Sequence, residues 1–349
     1  MPDLPAEDYP LAAMTLDLSR RDAGAVQAGR GGFRALPGLE ALARRGLFIV
    51  GNARSGTSIL CRCLNCSRDV YLLEESNAYV NYARPDFPHW FNRMHREMSG
   101  NYPSKGTYLP SPPVAVDGML PYLLWLSRHC RYVGEKVAFG PHGTFGDRPF
   151  QDVFFEFHSR FFYLSKYLII LRTPSECVWS MQKMFPRAGL STLVESWLRS
   201  LAVGIDLYAT FPDCWMLFFD RLSLEAIASV ARILEIEIPV PARALNQQSQ
   251  LSRLGRGETP KSLRPAADTI AACTELYEDL KAIFSAETLR YHGHEDLVAR
   301  MRPLRLQIDS LLSRLTEVCI LRMHEDSPPA AGHKDAAAVL PARAKSAAS

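Results

Sequence analysis

A chain of 349 residues, 47% hydrophobic and 22% charged, carries enough apolar material to bury one large α/β domain or two small ones. A formal net charge of +3 excludes a broadly basic, nucleic-acid-coating surface, so a cationic site has to be local. The 8 cysteines lack the dense regular spacing of a disulfide scaffold and read as reduced thiols. Within the group Cys61, Cys63 and Cys66, steps of two and five point in different helical directions, so no metal site is expected.

Residues 1–46 form a polar extension with acids at Asp3, Glu7 and Asp8 and glycines at 29, 31 and 32, closing on a short helix at 39–45. They hold no apolar run long enough for a signal peptide or membrane anchor, and cytoplasmic residence is the expectation. Leu47, Phe48, Ile49 and Val50 make a short buried parallel strand, and 59–64 a helix. Between them runs Gly51-Asn52-Ala53-Arg54-Ser55-Gly56-Thr57-Ser58, a strand-to-helix loop whose glycines let backbone N–H groups close around an anion. A second strand at 70–73 ends at Glu74 and Glu75, acids that would face the ligand crevice at the carboxyl edge of an open sheet.

Residues 77–114 are rich in aromatics, Pro and Gly, a composition that suits a lid or binding wall and equally suits an insertion packed onto the sheet. A helix follows at 120–130, then a short apolar approach to Gly134-Glu135-Lys136. Phe150, Val153, Phe154, Phe157 and Phe161 recur at helical intervals and mark 149–162 as a core helix. The strand at 167–171 ends in Arg172-Thr173-Pro174, and the proline opens a helix carrying Ser180. A helix at 192–211 opens on Thr192 and Glu195, a capping-box spacing. A strand at 215–219 ends at Asp220, and 223–236 is the helix returning across the sheet. Alternating strands and helices imply parallel pairing.

Beyond Pro239 comes a polar loop with Arg253, Arg256 and Lys261, then a helix at 268–284. After Pro303, Leu304, Ile308, Leu311, Leu315 and Val318 make a heptad seam, for packing on its own domain or for a homodimer. From Glu325 onward, Ala, Pro, Lys and Ser predict disorder. The expected organisation is an extension at 1–46, an α/β domain at 47–290, a helical segment at 291–324 and a tail at 325–349, without internal repeats.

The loop has the Gly, four residues, Gly frame of a P-loop, but Thr57 stands where a nucleotide hydrolase needs lysine. Arg172 ends the later strand where such an enzyme places an aspartate for magnesium. The pair keeps a phosphate cradle and drops the residues that serve a magnesium nucleotide. A phosphate-bearing donor bound without metal fits better.

The loop from Gly51 to Ser58 resembles the 5′-phosphosulfate loop of sulfotransferases that use 3′-phosphoadenosine 5′-phosphosulfate (PAPS). Arg172 and Ser180, eight residues apart, resemble that family's 3′-phosphate site, and WMLFFDRLSLEAIASVARILEI is similar to its later strand, acidic turn and helix. The resemblance covers about 47–238. Ala53, Ser58 and Thr173 depart from the commoner proline, threonine and aspartate, and the short His-containing catalytic motif of the cytosolic small-molecule branch is not recognisable, so the chain looks more like the bacterial and Golgi carbohydrate or tyrosyl-protein branches.

The resemblance implies a P-loop-type central parallel sheet flanked by helices, with a C-terminal helical extension. It assigns Arg54, Ser55, Gly56, Thr57 and Ser58 to the phosphosulfate and Arg172 and Ser180 to the 3′-phosphate. An ungapped count from the loop arginine, as in the tyrosyl-protein branch, lands the general base on Glu75, with Glu74 as the alternative; Lys136 would neutralise charge on the leaving phosphate. The implied reaction moves a sulfuryl group from PAPS to a hydroxyl or amine, with a carbohydrate or glycolipid as the expected acceptor and no metal. The rival readings are a P-loop kinase or nucleotide hydrolase, and a nucleotide-binding protein without turnover.

Overall fold

The computed structural model describes residues 37–74, 119–141, 144–145, 148–239, 260–284 and 294–325. Glu75, the aromatic stretch from Tyr79 to Tyr108, Arg253, Arg256 and the tail after Glu325 lie outside them.

Helix α1 (Pro37–Arg45) leads into β1 (Gly46–Asn52), and α2 (Thr57–Asn65) into β2 (Val70–Glu74). Then come α3 (Met119–Leu126) and β3 (Tyr132–Phe139), followed by a two-residue pair, β4 (Thr144–Phe145) and β5 (Arg148–Pro149), and α4 (Phe150–Phe161). The chain continues through β6 (Lys166–Leu171), α5 (Pro174–Met184), α6 (Leu190–Thr210), β7 (Cys214–Phe218), α7 (Leu224–Leu234), α8 (Ala267–Ile283) and α9 (His294–Glu325).

Five strands pair in the order β2-β3-β1-β6-β7, every pairing parallel. β1 lies at the centre and is buried along its whole length, as an apolar strand covered on both faces must be. Its side chains alternate between two cores: Phe48 and Val50 join the core under α4, α5, α6, α8 and α9, whereas Leu47 and Ile49 join the smaller one under α2 and α7. This is the expected α/β architecture of a parallel sheet with helices on both faces and a helical C-terminal region.

Three local expectations change. β3, for which no strand was expected, fills the place between β1 and β2, with Gly134-Glu135-Lys136 as its middle. Helix α6 does not start on a Thr192–Glu195 box. Gly189 in extended conformation (φ −61°, ψ 150°) is its N-cap, and Glu195 instead pairs with Arg199 one turn on, at 2.8 Å. The reason lies in the preceding Pro186–Gly189 turn, which delivers the chain to helical geometry half a turn earlier than the hydroxyl residues. Helix α9 begins at His294 and carries Pro303 in its interior. Leu304, Ile308 and Leu311 of its seam are buried in the larger core and Leu315 packs against it, so those positions serve the chain's own domain. The side chain of Val318 lies outside the described residues.

Among the described residues no helix is long and apolar enough to cross a membrane.

Candidate active site

β1 and β6 are neighbours, so the loop after β1 and Arg172 after β6 leave the sheet side by side at its carboxyl edge. The loop turns through two left-handed residues, Arg54 (φ 73°) and Gly56 (φ 103°), before α2 begins at Thr57. Gly56 is required there twice over. A side chain would be strained at that φ, and its Cβ would sit 2.3 Å from the ring of Phe219. Gly51 closes the loop from beneath, where a Cβ would come within 2.5 Å of both Ser55 Oγ and the Ile170 carbonyl oxygen.

Gly56 caps α2 without any side-chain hydrogen bond; the Ile59 N–H donates to the Gly56 carbonyl at 3.1 Å, and the amides of Thr57 and Ser58 ahead of it face an incoming acceptor. Ser55 lies inside the same turn, 1% exposed, and its hydroxyl has no hydrogen-bond partner among the described residues. A buried hydroxyl left without a partner costs about 1–3 kcal/mol, which a bound anion would recover. The turn that holds this hydroxyl borders a small cleft of about 100 Å³, lined by Arg54, Gly56, Thr57, Ser58, Arg172 and Phe219 among others.

Arg172 is 6% exposed. Its Nε donates to Glu176 Oε2 at 3.0 Å, one Nη donates to the Arg54 carbonyl at 3.2 Å, and the guanidinium lies 4.6 Å from the Phe219 ring centroid. The indole N–H of Trp197, on α6, donates to the Arg172 carbonyl at 3.1 Å and fixes the exit of β6. Ser180 stands two turns along α5, and its hydroxyl accepts from Arg54 Nε at 2.9 Å. Lys136 reaches the cleft from β3: it is 1% exposed, and its ammonium donates to Ser58 Oγ at 3.1 Å. Glu74 is its register partner on β2 and therefore stands on the same face of the sheet, with its carboxylate 3.7 Å from Arg62 Nε on α2.

Thus Arg54, Ser55, Gly56, Thr57, Ser58, Arg172, Ser180, Lys136 and Glu74 gather at one sheet edge, while Glu75 lies outside the described residues. Lys261 is exposed at the start of a 3-10 turn (Lys261–Ala266) and is not part of the cleft lining. Asp220, just past β7, accepts from Tyr277 at 2.9 Å and from Lys281, which fastens α8 to this edge. Burial works to raise the Asp220 pKa, but the bonds from Lys281 and Tyr277 outweigh it and hold the carboxyl below its ordinary range.

Residues that sequence reasoning left unassigned also build the site. Phe219 is the wedge between Gly56 and Arg172, and Asn52 is the last residue of β1 beneath the loop. Position inside the loop motif was the available signal for Asn52; nothing in the sequence separates Phe219 from ordinary strand-end core.

A larger cleft of about 490 Å³ opens at the opposite edge of the sheet, among Arg44, Arg45, Arg128, Arg131 and Lys166. Helices α1 and α3 end there, so cations offset the negative ends of helix dipoles. Arg44, Arg131 and Lys166 are paired with Glu40, Glu235 and Asp213.

No family model matches the chain, and no curated protein does. Solved structures similar to it include two sulfotransferases. One is the sulfotransferase from Alicyclobacillus acidocaldarius, at 17% identity and a TM-score of 0.37, over 66% of this chain and 94% of that one. The other is the sulfotransferase domain from the Synechococcus PCC 7002 olefin synthase, at 15% identity and a TM-score of 0.39, over 73% of this chain and 92% of that one. The functional reading rests on the site itself.

Proposed function

We propose that the chain is a PAPS-dependent sulfotransferase whose donor lies across the carboxyl edge of the sheet. The observation that carries the reading is the buried Ser55 hydroxyl, without a partner among the described residues, at a helix N-terminus with no side-chain cap, beside Arg54 and Arg172. Such a cradle suits a phosphosulfate. Thr57 in place of the P-loop lysine, and Arg172 in place of a strand-end acid, disfavour a magnesium nucleotide.

In this reading the loop amides, Arg54 and the hydroxyls of Ser55, Thr57 and Ser58 hold the 5′-phosphosulfate. Arg172 and Ser180 hold the 3′-phosphate. The acceptor oxygen or nitrogen attacks sulfur in line, and the sulfur–oxygen bond to the 5′-phosphate breaks as the new bond forms. The bonding pair leaves on the phosphate, giving adenosine 3′,5′-bisphosphate, and Lys136 offsets the charge that gathers there. Glu75, or its neighbour Glu74, takes the acceptor proton. The aromatic stretch between Tyr79 and Tyr108 would suit stacking on a sugar, and a carbohydrate or glycolipid is the favoured acceptor.

Calorimetric titration without magnesium separates this reading from its first rival. Adenosine 3′,5′-bisphosphate should bind and ATP should bind far more weakly. Preference for magnesium-ATP would replace the sulfotransferase reading with that of a kinase or hydrolase.

A further inference from the structure

Beneath the phosphate loop lies a buried polar network that the proposed chemistry does not use. Asn52, 3% exposed, is the last residue of β1, and its carboxamide N–H groups donate to Ser196 Oγ and to Ser200 Oγ, each at 3.0 Å. Both serines lie on one face of α6, a turn apart and almost fully buried. The carboxamide oxygen accepts from the thiol of Cys177 on α5 at 3.3 Å, and the same sulfur lies 3.3 Å from the carbonyl oxygen of Ala53. Burial pushes the Cys177 pKa up to about 12, so at neutral pH the thiol keeps the proton it donates.

Both donors of the Asn52 carboxamide are thus spent and its oxygen accepts, and each partner belongs to an element that carries another part of the site. Cys177 sits one turn before Ser180 on α5. Ser196 and Ser200 flank Trp197, whose indole fixes the carbonyl of Arg172. A residue wanted only for packing at the end of a buried strand would be apolar, because a buried carboxamide helps only when all its bonds are met.

We propose that Asn52 is a positioning residue: its carboxamide indexes the phosphate loop against α5 and α6, so that the loop and the Arg172–Ser180 pair present one continuous site to a ligand with an anionic group at each end. The inference rests on the proposed binding of adenosine 3′,5′-phosphates and adds the group that sets the spacing between the two anion contacts. Replacing the carboxamide by an isosteric apolar side chain should leave the loop residues in place by sequence and loosen them in space.

The test measures binding of adenosine 3′,5′-bisphosphate beside thermal melting, at a temperature where each variant is folded. Asn52→Leu should bind about tenfold more weakly or worse, as loss of an outer-shell partner does elsewhere. In steady state it should raise the KM for PAPS and leave the KM for acceptor unchanged. Cys177→Ser, which keeps a donor, should stay within about twofold of wild type, and Cys177→Val should behave like Asn52→Leu. If Asn52→Leu does not fold, the Ser196→Ala/Ser200→Ala double variant takes its place with the same expectation. Wild-type affinity in the folded variant, whatever its melting temperature, would overturn the inference alone. Failure of the wild-type protein to bind the nucleotide would overturn the functional reading and this inference with it.

Discussion

Arg54 Nε donates to Ser180 Oγ across 2.9 Å, joining the phosphate loop to the helix that follows Arg172. By resemblance these residues serve opposite ends of the donor, yet in the structure they touch. The contact follows from the left-handed turn at Arg54, which throws its side chain toward α5, and from the parallel neighbours β1 and β6. In the proposed reading, two anion contacts held this close are coupled, and a change at one should be felt at the other.

Arg172→Ala tests the nucleotide end of this arrangement. The guanidinium is almost fully buried, so its contacts are little screened by solvent. Its loss should weaken adenosine 3′,5′-bisphosphate by about 10- to 100-fold, or about 1.4–3 kcal/mol, and leave the KM for acceptor within about twofold. Equal effects on donor and acceptor, measured by titration and initial rates, would remove Arg172 from the nucleotide site.

Gly56→Ala should lower both stability and nucleotide affinity. The left-handed backbone alone costs a residue with a Cβ about 1–2 kcal/mol, and the new methyl meets Phe219. In the double variant with Phe219→Ala the two losses of stability should sum to less than the single ones because the clash is gone, while affinity stays low because Arg172 loses the ring beneath it. Melting and titration of the single and double variants check both halves.

The acids Glu74 and Glu75, where β2 ends, divide by substitution. Glu75→Gln should reduce turnover by about 10²- to 10⁴-fold, the range of a lost general base, with nucleotide binding unchanged. If Glu74 is the base, Glu74→Gln carries that loss instead. Full turnover in both variants would exclude the pair from proton transfer.

His158 makes stability depend on pH. It is fully buried among Phe48, Phe154 and Phe162, and burial holds its pKa well below the ordinary value. Tyr167 donates to the Phe162 carbonyl at 3.0 Å, so His158 Nδ1–H donates to the Tyr167 oxygen at 3.0 Å and the neutral ring leaves Nε2 without a partner. The unfolded chain takes up a proton near pH 6.5 that the folded chain refuses, so stability is complete above that pH and falls as the pH drops below it. The limiting slope is about 1.4 kcal/mol per pH unit. Denaturant melts from pH 7 to pH 5 should show the loss, and His158→Phe should flatten it.

How much of this the sequence revealed depends on the range of the interaction that decides each feature. β1, β6 and β7 stand out because a buried parallel strand is an unbroken apolar run, and the loop stands out because its spacing is a local backbone requirement. β3 was hidden because Gly134, Glu135 and Lys136 interrupt its apolar run, and its place between β1 and β2 is a tertiary fact. The start of α6 was misplaced because Thr192 and Glu195 have cap spacing, whereas the turn at Gly189 decides where the helix begins. Phe219 touches Gly56 and Arg172 across long stretches of chain, and Asn52 meets its serines 144 and 148 residues away, contacts that no local pattern encodes.

The decisive assay of sulfuryl transfer incubates sulfur-labelled PAPS with the protein and a panel of sugars, glycolipids, phenols and tyrosyl peptides. Label should appear on a hydroxyl or amine of one acceptor class, carbohydrate or glycolipid first, with release of adenosine 3′,5′-bisphosphate in equal amount. Tight binding of PAPS with no label on any acceptor would contradict it and leave a nucleotide-binding protein without turnover.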